Sequence, residues 1–123
     1  MDTIEVWIGV NENNQSSILK GVNGETVAIE WSHKLLNCDE GRWLWVSWAD
    51  GFIQLGQGSV VGVRPIVWYQ NPDAFPVHAV ALASSVDALW EFANVPSNPQ
   101  HHNVRIHNII ILHLCCCLYQ VTS

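Results

Sequence analysis

A chain of 123 residues, 49% hydrophobic and 13% charged, is sized for one domain with a modest core. Its net charge of −6 and its five scattered Lys and Arg exclude a nucleic-acid partner, which needs clustered cations to displace phosphate counterions. They argue equally against docking on anionic lipid.

The chain opens Met1-Asp2-Thr3-Ile4-Glu5, without the basic region of a secretory signal, so as given it is expected in the cytoplasm. Cys38 stands alone and Cys115, Cys116 and Cys117 are adjacent, which is no disulfide framework. Seven Trp residues supply large apolar area at little rotamer cost.

Residues 3–10 are rich in β-branched side chains and read as a strand. A polar turn over 11–17 leads to a second short strand over 17–22. Asn23-Gly24 is a type I′ hairpin signal, followed by a strand over 25–31. The stretch 33–42 reads as a loop anchored by Leu35-Leu36, with a turn at Cys38-Asp39-Glu40-Gly41.

The clearest element is a hairpin over 43–58. Asp50-Gly51 favours positive φ, and a two-residue turn there sets Ser47 opposite Gln54, Val46 opposite Leu55 and Trp45 opposite Gly56. Val46, Trp48, Ile53 and Leu55 then share one face. Trp45, Ser47 and Gln54 share the other, with Trp45 covering the bare Gly56 backbone.

Residues 60–69 form a strand interrupted by Pro65, which marks an edge or a bulge. Asn71-Pro72-Asp73 is a turn. Residues 76–84 alternate weakly and read as a strand, and 87–92 as a last one with Trp90 and Phe92 on one face. A helix over 78–92 is the second choice, weakened by Val77, Val80, Ser84, Ser85 and Val86. Residues 94–103 are a linker. The apolar run 109–119 is too short to span a bilayer, which takes about twenty residues.

The run Trp45-Val46-Ser47-Trp48-Ala49-Asp50-Gly51-Phe52-Ile53-Gln54-Leu55-Gly56-Gln57-Gly58 resembles the farnesoic acid O-methyltransferase-type domain family. So do Pro65-Ile66-Val67-Trp68-Tyr69-Gln70-Asn71-Pro72, Trp90-Glu91-Phe92, Ile4-Glu5-Val6-Trp7-Ile8-Gly9 and Ser17-Ile18-Leu19-Lys20. The resemblance covers about residues 4–92. It implies an all-β fold, an antiparallel β-sandwich or jelly-roll-like domain over residues 1–94. It further implies that strands normally preceding Ile4 are missing, in which case an extracellular location is open. Residues 95–123 are expected to be a linker and a poorly defined apolar tail outside the domain.

The family name implies methylation of a farnesoic-acid-like carboxylate with S-adenosylmethionine. Related domains also occur as modules in larger proteins, some beside lectin-like domains, which implies a recognition role instead. The residues favour the second. Gly56-Gln57-Gly58 precedes a β-branched run ending at Pro65, which cannot open the helix that a Rossmann-type cofactor loop requires. No cofactor is therefore expected outside the methyltransferase alternative. His101, His102, His107, His113 and Cys115–Cys117 lack zinc-ligand spacing, so no metal is expected. Ser84-Ser85, His78 and Asp87 read as a strand end rather than a nucleophile with its base. Cys38 lies beside Asp39 and Glu40, which disfavour a thiolate.

With no catalytic residue assigned, the expected function is a non-catalytic module that recognises a small molecule, a glycan or a protein partner. Its candidate binding residues are Trp43, Trp45, Asp50, Gln54 and Trp68. They are taken from the Trp-rich strands, the Asp50-Gly51 end and the neighbourhood of the loop 56–62. Burial between two sheets is the competing reading for Trp7, Trp43, Trp45 and Trp68.

Overall fold

The computed structural model describes residues 2–32, 34–37, 39–81 and 83, together with the backbone of 88–92 and 109–116. Eight strands follow in chain order: β1 Ile4–Gly9, β2 Gln15–Lys20, β3 Glu25–Trp31, β4 Arg42–Ser47, β5 Phe52–Gln57, β6 Pro65–Gln70, β7 Ala88–Phe92 and β8 Ile109–Cys116. They form two antiparallel sheets, β1-β2-β3 and β6-β5-β4-β8-β7. The all-β expectation holds.

One core joins the two sheets. Ile18 of β2 meets Leu44 and Val46 of β4, Ile53 and Leu55 of β5, and Val67 of β6, with Leu35 and Leu36 closing it from the loop. Ile4, Val6 and Ile8 of β1 pack against this cluster, at the alternate positions a strand turns to one side. Each such side chain contributes about 1.5–3 kcal/mol when fully buried.

The loop anchor is held by an unusual turn. Asn11, Glu12 and Asn13 all have positive φ, between 54° and 64°. Left-handed backbone costs an L-residue about 1–2 kcal/mol. Part of the compensation is visible at Asn13, which is buried. Its side-chain amide donates to the Leu36 carbonyl at 2.7 Å and accepts from the Leu36 N–H at 3.0 Å. Gly9 starts the turn at φ 72°, and a Cβ there would meet Leu36 Cδ1 at 2.7 Å.

Several expectations change. The Asn23-Gly24 turn is a four-residue loop, Gly21 to Gly24, because Lys20 pairs with Glu25 and only Asn23 of the two central residues has positive φ. The Glu5 carboxylate accepts the Asn23 N–H at 3.0 Å and so holds this wider loop. Residues 76–81 form no strand: Val77 and Val80 lie exposed, so their alternation finds neither a core nor a pairing edge. The helix alternative fails where β7 pairs with β8. The tail does not lie apart, since Ile109–Cys116 enters the sheet between β4 and β7. There its backbone groups pair on both sides, which a free apolar run would leave to water. The linker over 94–103, and the side chains of Trp90 and Phe92, lie outside the described residues.

Pro65 marks an edge and a bulge as expected, since it opens edge strand β6 and the register shifts between Leu55 and Gly56 opposite it. The strand expected over 60–69 starts only there: residues 60–64 form a loop, with Gly62 and Arg64 at positive φ, which extended backbone does not allow.

Candidate functional site

Strand β4 sends Leu44 and Val46 into the core, so Trp43, Trp45 and Ser47 point to the outer face of its sheet. The hairpin register is the expected one: Trp45 faces Gly56, Val46 faces Leu55 and Ser47 faces Gln54. Strand β6 continues the row, with Trp68 opposite Gln54. Four of the five candidate residues, Trp43, Trp45, Gln54 and Trp68, thus share one face.

Their exposures differ. Trp43 is 41% and Trp68 52% exposed, and Gln54 is half-buried between them. Trp45 is fully buried, yet not between the sheets. Its indole lies on the Gly56 backbone, where a Cβ would collide with Cε2, Cζ2 and Nε1. The loop after β5 covers it, and the indole N–H donates to the Val63 carbonyl at 2.9 Å. Trp45 is therefore a floor under this face and offers no surface to a ligand, which corrects its place among the binding candidates.

Asp50 sits apart, at the far end of the hairpin. It adopts φ 53° in the turn Ala49–Gly51, and its carbonyl accepts from Gln70 Nε2 at 3.2 Å. Its role is in the turn. Trp7 is part-exposed on the other sheet, with its indole N–H donating to Glu5 Oε1 at 3.1 Å.

A second feature was not anticipated residue by residue. Where β3, the Leu35 loop and the adjoining ends of β5 and β6 meet, a cleft of about 260 Å³ is lined by Trp31, Ser32, Leu35, Gln57, Pro65 and Ile66. The only sequence signal for it was the pair of glycines leaving the hairpin beside Gln57. S-adenosylmethionine does not fit this lining. The cleft is smaller than the roughly 300–1,000 Å³ of pockets for drug-sized ligands, and none of its lining residues is acidic, as a ribose-binding group would be. No methyl-transfer step is assigned to these residues. Among the described residues no group of three or more His, Cys, Asp or Glu converges as a metal site, and no helix is long and apolar enough to cross a membrane.

Fold and face together define a small all-β domain of two antiparallel sheets that carries tryptophans on an outer sheet surface. The model of the farnesoic acid O-methyl transferase family matches residues 1–98, and the chain belongs to that family. The match ends before β8, so the strand seated between β4 and β7 comes from outside the matched span. Comparison with curated proteins and with solved structures finds no match in either set.

Proposed function

We propose that this domain is a non-catalytic recognition module whose outer sheet face binds a ligand, with a glycan as the favoured class. The observation that carries this reading is the placing of two half-exposed indoles, Trp43 and Trp68, and the Gln54 amide on one sheet face. Flat aromatic faces take the apolar side of a sugar ring, and an amide both donates to and accepts from its hydroxyls. Strand spacing of ~4.8 Å and a rise of ~3.3 Å per residue put the Trp43 and Trp68 Cα atoms roughly 16 Å apart, a span that suits an extended ligand.

Glycan-array binding by the full chain, followed by calorimetry on the best ligand, tests this. Trp43→Ala and Trp68→Ala should each weaken binding at least about tenfold with circular dichroism unchanged, the loss of roughly 1.4 kcal/mol. Binding that survives both substitutions refutes the reading.

The family name supports a second reading, methylation of a farnesoic-acid-like carboxylate. Titration with S-adenosylmethionine separates the two. Heat and a thermal shift support the enzyme, and the absence of both counts against it.

A further inference from the structure

The cleft at the mouth of the core is separate from the outer sheet face. Trp43, Gln54 and Trp68 point away from the core, whereas the cleft is floored by core residue Leu35. Its lining is neutral and mixed. Trp31 ends β3 with 69% of its surface exposed, beside Pro65 and the half-buried Ile66. Ser32 holds its hydroxyl in place through a 2.9 Å bond to Ser16 Oγ, and Ser16 is itself fully buried. Gln57 uses its backbone N–H on the Arg64 carbonyl at 3.0 Å. Its half-buried side-chain amide makes no hydrogen bond among the described residues.

Each of these features narrows the ligand. An apolar guest would cover the Gln57 amide without pairing it, and a desolvated amide left unpaired opposes binding. A charged guest would find no opposite charge in the lining. A volume of about 260 Å³ leaves room for one sugar ring. The guest must therefore combine one flat apolar face for Trp31 with several neutral hydroxyls for Ser32 and Gln57. We infer that this cleft binds a single neutral pyranose, stacked on Trp31 and hydrogen-bonded by Gln57 and Ser32.

The test is titration of the full chain with neutral methyl pyranosides (glucoside, galactoside, mannoside and the N-acetylglucosaminide), read by tryptophan fluorescence and saturation-transfer NMR. At least one should bind with Kd of about 1 mM, the range of a single small contact patch. Trp31→Ala should weaken that binding at least about tenfold, and Gln57→Leu at least about fivefold, with circular dichroism unchanged. Trp31 is mostly exposed and Gln57→Leu nearly conserves volume, so if one variant fails to fold the other still decides. Val22→Ala, at an exposed apolar residue in the loop before β3 that belongs to neither site, should leave the affinity unchanged. The inference is overturned if none of the pyranosides binds, if binding persists in both cleft variants, or if Val22→Ala weakens it as much as Trp31→Ala does.

Discussion

Replacing Gly56 with alanine puts a methyl group where the Trp45 indole now lies. The ring cannot move inward, since Gly56 is backbone. It can only rise, and rising breaks the bond to the Val63 carbonyl and lifts the loop that covers it. Overpacking of this kind costs about 1–3 kcal/mol, and a lost neutral hydrogen bond adds about 0.5–1.5 kcal/mol. A total near 2–4 kcal/mol lowers Tm by on the order of 10 °C in a domain of this size. Urea denaturation followed by far-UV circular dichroism measures the first figure, and a thermal scan the second. The double-mutant cycle is sharper. Trp45→Ala alone should cost about 3–5 kcal/mol. In that background Gly56→Ala should cost almost nothing, because the methyl then has space. A Gly56→Ala variant within about 0.5 kcal/mol of the parent, or equal costs of Gly56→Ala in both backgrounds, refutes the argument that the glycine is there for the indole.

Two further predictions concern the fold. Asn13→Leu leaves the Leu36 N–H and carbonyl without their 3.0 Å and 2.7 Å partners and puts a residue less tolerant of left-handed backbone than asparagine at φ 64°. It should lower the urea-derived stability by about 2–4 kcal/mol, the penalty for two unpaired buried groups. Asp73 accepts a 2.8 Å bond from Lys20, and that bond is the main cause raising the Lys20 pKa above its ordinary 10.5. A raised lysine pKa contributes stability that is fully present below pH 10.5 and is lost as pH climbs through the folded value. Asp73→Asn should therefore return the Lys20 pKa toward 10.5 in an NMR titration, with no effect on the pH dependence of stability near neutrality.

Where the signal is local, the sequence is enough. The hairpin from β4 to β5 was legible because Asp50-Gly51 sets the turn and the alternation on either side allows one register. That register placed Trp45 on Gly56 and put Gln54 on the tryptophan face. Pro65 announced the edge strand for an equally local reason, having no N–H to give to a neighbour. The Leu35-Leu36 anchor was legible as two apolar residues inside a polar loop.

What remained depended on residues far apart in the chain. Alternation over 76–84 says which side chains are apolar, but a strand needs an edge to pair with, and none receives residues 76–81. The run 109–116 is apolar and looked like a stray tail, yet it finds open backbone on both β4 and β7. No turn residue signals that pairing, because it joins segments more than 60 positions apart at β4. Nor does Trp45 reveal from its neighbours that a loop ending near Val63 will cover it. Sequence alone thus determined the β class, the central hairpin and its faces. The tertiary structure decided which tryptophans stay at the surface and where a cleft opens, because burial is set by what packs across from a residue, not by what stands next to it.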